Sequence, residues 1–119
     1  MHSVTNGEVI VAYLGENRIV DQAKIDEIGR TLEGLFNKCE HGKLLINFDG
    51  VKFMGSAMLG KLISLNKKCK EAKVQLKLCS IDDQIMQVFK LTKLDKVLDI
   101  QASEDRALAS FEKKGGWFS

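Results

Sequence analysis

The chain has 119 residues, 45% of them hydrophobic and 29% charged, with a formal net charge of +2. These values describe one globular domain and exclude disordered, collagen-like and mucin-like chains; the near-balance of charge gives no electrostatic reason to bind nucleic acid. No apolar stretch approaches the roughly 20 residues of a membrane span and no secretion-signal core is present, so no membrane insertion is expected and the cytoplasm is the expected location.

In chain order, residues 9–14 form a short β-branched run after Asn6-Gly7 and predict a strand. Gly15-Glu16-Asn17 is a turn cluster, and Arg18-Ile19-Val20 beyond it suggests the second arm of a hairpin. Asp21 sits where a helix N-cap belongs, and Ile25, Ile28, Leu32, Leu35 and Phe36 then recur on one helical face. Residues 44–48 are apolar apart from Asn47, which predicts a central strand buried on both sides. After Asp49-Gly50 and the segment 51–54, a second helical pattern starts at Gly55-Ser56 and continues to about Ala72.

Val74, Leu76 and Leu78 alternate with Gln75 and Lys77, as a strand with one polar face does. Residues 81–89 read as a helix with Asp82-Asp83 in its first turn, where acidic groups suit the helix dipole. Residues 97–100 read as a short strand. Ser103 offers a partial cap for a last helix that would bury Ala107, Leu108 and Phe111. The sum is an α/β single domain over residues 1–119, with a mixed four- to five-stranded sheet, about four helices and a flexible tail over 113–119.

Several motifs bear on chemistry. Cys39, Cys69 and Cys79 form no C-x-x-C pair and read as reduced, mostly buried thiols. Cys39-Glu40-His41 lacks the further ligands a metal site needs, so no metal and no cofactor is expected. Gly55 to Leu62 matches most of a phosphate loop, but Leu62 stands where a magnesium-binding hydroxyl is required. The segment is better read as helix from Ser56, with Gly60 at a point of close packing. No nucleophile–histidine–acid set is present, so an enzyme is not expected.

Ser56 at that helix start has two readings. As the N-cap it would stabilise the helix by ~1 kcal/mol; as a phosphorylation site it would gain about two negative charges at a helix end that tolerates them. The second helix also has a broad apolar surface, in which Met58, Leu62, Leu65 and Cys69 form one stripe and Leu59 and Ile63 widen it. Met58 and Leu59 cannot both face inward, and an exposed Met would suit an adaptable binding surface.

Val51-Lys52-Phe53-Met54-Gly55-Ser56-Ala57-Met58-Leu59-Gly60, following the buried run 44–48, resembles the signature V-x-F-M-D-S-[ST]-G-L-G of the STAS domain, the fold of bacterial anti-sigma factor antagonists. Leu91-Thr92-Lys93-Leu94 resembles the family's later L-T-G-L stretch, and the likeness covers nearly the whole chain. It implies a protein-binding switch: the unphosphorylated antagonist binds an anti-sigma factor that is also an ATP-dependent serine kinase, and phosphorylation of a signature hydroxyl releases it. In this chain Ser56 keeps the first hydroxyl position, whereas Gly55 replaces the signature Asp, Ala57 the second hydroxyl and Met58 the following Gly.

The resemblance implies Ser56 as the phosphorylation candidate and Arg18, Asp21, Met54, Gly55, Ser56, Ala57, Met58 and Leu59 as the partner-binding corner. The expected partner is an anti-sigma factor/serine protein kinase, and the expected state a monomer or weak homodimer. The alternative is a non-phosphorylated STAS subunit of a transport or signalling scaffold complex. Trp117-Phe118, after Gly115-Gly116, either docks on a neighbour or frays.

Overall fold

A computed structural model describes the backbone of residues 1–116 and the side chains through Phe111. The chain opens with β1 (His2–Asn6) and β2 (Val9–Tyr13), paired antiparallel from His2↔Tyr13 to Asn6↔Val9. Gly7 takes φ +61° at the first position of the two-residue turn, a conformation that favours glycine. There follow β3 (Arg18–Ile19), α1 (Gln22–Asn37), β4 (Lys43–Asn47), β5 (Phe53–Met54), α2 (Ser56–Glu71), β6 (Gln75–Cys79) and α3 (Asp83–Leu91). A 3-10 turn (Leu94–Lys96), β7 (Asp99–Gln101) and α4 (Glu104–Gly116) complete the chain.

The main sheet has the order β1-β2-β4-β6-β7, and every pairing after the first is parallel. This mixed sheet of five strands with four helices agrees with the expected four to five strands and about four helices. The hairpin expected at Arg18–Val20 does not form. Instead β3 pairs parallel with β5 in a separate two-stranded ribbon, Arg18↔Phe53 and Ile19↔Met54, because β2 is already paired on both sides, by β1 and β4, and has no free edge for a hairpin arm.

Helices cover both faces of the sheet, so β4 is buried on each side, as its unbroken apolar run requires. Leu44 and Ile46 face Ile25, Ile28 and Leu62 of the α1/α2 layer, while Leu45 joins Val11 and Phe111 of the α4 layer. Asp21 caps α1 as expected, its carboxylate accepting from the Lys24 amide at 3.1 Å.

Two expectations need correction. Lys77 does not face solvent: α4 covers that side of β6, and the Lys77 side chain is 8% exposed, its ammonium 2.6 Å from Asp99 Oδ2 and 5.2 Å from the centre of the Phe111 ring. Gly60 is not at a close contact, since a Cβ there would meet nothing within 4 Å. It is Gly29 of α1 that lies against the second helix, where a Cβ would come 3.1 Å from the stem of Lys61. The α4 backbone is described to Gly116, and Trp117 and Phe118 of the expected tail lie outside the described residues.

Candidate functional site

The corner around Ser56 is built by the chain leaving β4. Phe48 and Val51 are fully buried and pin the Asp49-Gly50 turn, in which Gly50 takes φ +86°. The next residues lie along β3: the amides of Lys52 and Phe53 donate to Asn17 O at 2.8 and 3.2 Å, and the Gly55 amide donates to Ile19 O at 2.9 Å. Backbone bonds to β3 therefore fix where α2 begins.

Gly55 is the N-cap of α2, at φ −80° and ψ 163°, and no side chain caps this helix. The cap expected of Ser56 is corrected accordingly: Ser56 is the first helical residue, one position too far along for its hydroxyl to bond the amides of the first turn. Its side chain is exposed, as is that of Ala57. The free amides and positive dipole end of α2 thus lie beside an accessible hydroxyl.

Met58 turns inward from this start and is fully buried, so it cannot contribute to a binding surface as expected. Burial of the ring of core residues beneath α2 claims the position at the Leu62 spacing, and Leu59 takes the outward one. Half-buried Leu59 joins Phe53, Met54, Ile85 and Val88, with Lys52 and Gln84 at the margin, around a groove of about 200 Å³ between the start of α2 and α3. Phe53 is 48% exposed, and the Arg18 guanidinium covers part of its ring at 4.8 Å from the centre.

Lys52 Nζ donates to Asp82 Oδ1 at 2.9 Å and closes one margin of the groove. The Lys52 ammonium and the Gln84 amide hold the Asp82 carboxyl below its ordinary range, while Asp82 holds the Lys52 ammonium above its own. Asp82 is also the N-cap of α3, accepting from Gln84 N at 3.1 Å, so one carboxylate caps the helix and anchors the 51–54 segment.

The structure brings Arg18, Met54, Gly55, Ser56, Ala57 and Leu59 to one corner through the β3–β5 pairing. Val20 belongs there too, since a Cβ on Gly55 would lie 3.8 Å from it. Asp21 is exposed at the head of α1. Sequence reading missed Phe53 and Val88. No local signal marks Phe53, since period-2 alternation from buried Val51 would turn it inward, whereas it is 48% exposed; Val88 sits on the same α3 face as Gln84, but only the long-range approach of β5 makes that face part of a groove.

Other candidate chemistry is dispersed. The His2 ring stacks on Tyr13 at 4.8 Å, and His41 lies 3.6 Å from Glu8. The three cysteines are free, and burial raises the pKa of each thiol, that of Cys69 to about 11. Among the described residues no group of three His, Cys, Asp or Glu side chains could hold a metal ion, and no helix is long and apolar enough to cross a membrane.

Comparison with known structures places this architecture. An anti-sigma-factor antagonist (STAS) domain protein of Planctomyces limnophilus superposes with a TM-score of 0.78 at 22% identity, covering 92% of this chain and 94% of the other. An anti-sigma factor antagonist of Mycobacterium paratuberculosis gives 0.78 at 19% identity, covering 92% and 90%. The Bacillus cell-fate determinant SpoIIAA in its phosphorylated form gives 0.70 at 15% identity, covering 92% and 97%. At these identities the likeness is one of fold. The family model of the STAS domain itself matches residues 4–107, nearly the whole described chain, and this chain belongs to the STAS domain family.

Proposed function

We propose that this chain is an anti-sigma factor antagonist: a non-catalytic module of the cytoplasm that regulates transcription by binding an anti-sigma factor, itself a serine kinase, through the Ser56 corner. The observation that carries the reading is the exposed Ser56 at the uncapped start of α2, beside the groove formed by Phe53, Met54, Leu59 and Val88. Arg18, Gly55 and Ala57 complete the contact surface, with Asp21 at its margin.

The physics of such a switch is direct. In the unmodified state the corner offers a small neutral hydroxyl and apolar side chains that a partner can cover. Transfer of the γ-phosphoryl of ATP to Ser56 Oγ adds about two negative charges, which the dipole end of α2 accommodates within the chain. The same dianion must be desolvated against any partner pressed on Phe53 and Leu59, so binding weakens while the fold persists. The existence of a phosphorylated form of the structurally similar SpoIIAA supports the reading.

The experiment is affinity capture with wild type and Ser56→Asp, joined to phosphate mapping after incubation with the captured kinase and ATP. Recovery of an ATP-binding anti-sigma factor by wild type alone, with phosphate on Ser56, is the expected result. Stoichiometric phosphate on any other residue, or capture indifferent to the added charge, would refute it. A second reading, a non-phosphorylated subunit of a transport or signalling scaffold complex, is favoured by Gly55 and Ala57 standing where the family signature has Asp and a second hydroxyl. Charge-indifferent recovery of transport or scaffold components would select it.

A further inference from the structure

The two edges of the main sheet are built differently. β7 is three residues long and carries the charged Asp99. β1 is five residues long, His2-Ser3-Val4-Thr5-Asn6, with every residue exposed and neither a formally charged acid or base nor a proline among them. Edge strands are ordinarily blunted by charge, proline, a bulge or brevity, because their unpaired amides and carbonyls otherwise recruit another strand. The β7 edge is blunted in this way and the β1 edge is not.

We infer that β1 pairs antiparallel with β1 of a second copy of this chain, joining the two five-stranded sheets across a two-fold axis at Val4. A second copy fits because the strand is self-complementary in that register. Val4 meets Val4 at the axis, Ser3 meets Thr5 and His2 meets Asn6, with no like-charged lysines, arginines or carboxylates opposed.

The faces agree as well. Val4 pairs with Val11, a fully buried residue of the α4 layer, yet Val4 itself is 46% exposed at the margin of that layer. A two-fold axis perpendicular to the sheet keeps faces together, so the two Val4 side chains meet on the α4 side and cover each other. Ser3 and Thr5 meet on the opposite face. The pairing uses none of the residues of the Ser56 corner, and the inference is independent of the function proposed above.

Light scattering and sedimentation equilibrium across the micromolar to millimolar range test it. Wild type is expected to reach twice its 13.3 kDa mass, and Val4→Lys, which sets two ammonium groups against each other, to weaken association about tenfold or more with an unchanged circular dichroism spectrum. Register is tested by oxidation. Opposed residues in an antiparallel pair have Cα atoms about 4.5–5.5 Å apart, within disulfide reach, so Val4→Cys should cross-link to itself. Thr5→Cys, which faces Ser3 of the partner, should not. Wild type that stays monomeric, a dimer that survives Val4→Lys, open-ended assembly, or equal cross-linking of both cysteine variants would each overturn the proposal.

Discussion

The hydroxyl of Tyr13 donates to Glu104 Oε1 at 2.6 Å, tying the end of β2 to the first turn of α4. Asn47 Nδ2 donates to the same oxygen at 3.0 Å, and Asn47 Oδ1 in turn accepts from the Asp49 amide at 2.8 Å. One carboxylate therefore joins two strand ends, a helix start and the turn that leads towards Ser56.

That arrangement predicts a high-pH transition. Hydrogen bonding to Glu104, then burial, raises the Tyr13 pKa from 10.0 to about 12. Because folding raises it, the stability from this group is complete below pH 10 and is lost as pH climbs from about 10 towards about 12, where the unfolded chain sheds the proton first. Tyr13 is the only tyrosine, so its phenolate absorbance can be followed directly. Glu104→Gln should bring the midpoint back towards 10. A midpoint unmoved by that substitution would show that the carboxylate is not the cause.

Lys77 and Asp99 should respond unequally to substitution. Lys77 is the buried partner and Asp99 the half-exposed one, with side chains 8% and 44% accessible. Asp99→Ala leaves a buried ammonium under α4 that, among the described residues, keeps the Phe111 ring beside it, and should cost about 1–3 kcal/mol. Lys77→Met keeps the apolar stem and frees a carboxylate that water can reach, so its cost should stay within about 1 kcal/mol. Urea unfolding of the two variants gives the comparison; equal losses would contradict it.

These positions also mark where the sequence was readable and where it was not. Elements whose side chains enter the core were legible: β4 through its apolar run, α1 through its Ile25, Ile28 and Leu32 face, and α3 through the helical pattern over 81–89, although Asp82, expected in the first turn, is its N-cap. β1 was missed because a fully exposed edge strand has no buried side chain to impose an alternating pattern. Lys77 was misread because α4, far along the chain, covers what looked like a polar strand face. In the Ser56 corner, the signature residues were legible locally, but the β3–β5 pairing and the α3 wall of the groove depend on long-range contacts that local spacing does not encode.

Gly55→Asp should stabilise the protein. Gly55 already has the extended conformation of an N-cap, and a Cβ there would find only ordinary contacts, 3.8 Å from Ile19 O and from Val20. The carboxylate could then accept from the uncapped first-turn amides of α2, and the unfolded chain would lose the freedom of glycine. Together these effects should contribute about 0.5–1 kcal/mol, read as a higher urea midpoint at constant m-value. A lower midpoint would mean that the start of α2 cannot accept the cap.

Met58 and Leu59 are neighbours in sequence with opposite duties, and their alanine variants should separate fold from binding. Met58 is fully buried under α2, so Met58→Ala should cost about 2–5 kcal/mol, and any loss of partner binding should track the fraction unfolded. Leu59 is half-buried and lines the groove with Phe53 and Val88. Leu59→Ala should therefore cost stability less than Met58→Ala does, while weakening capture of the partner at concentrations where the variant is wholly folded. Measuring urea midpoint and partner capture on the same two preparations decides the matter. If Leu59→Ala binds as wild type does, the groove beside Ser56 is not part of the contact, and the binding surface must be sought elsewhere on the STAS fold.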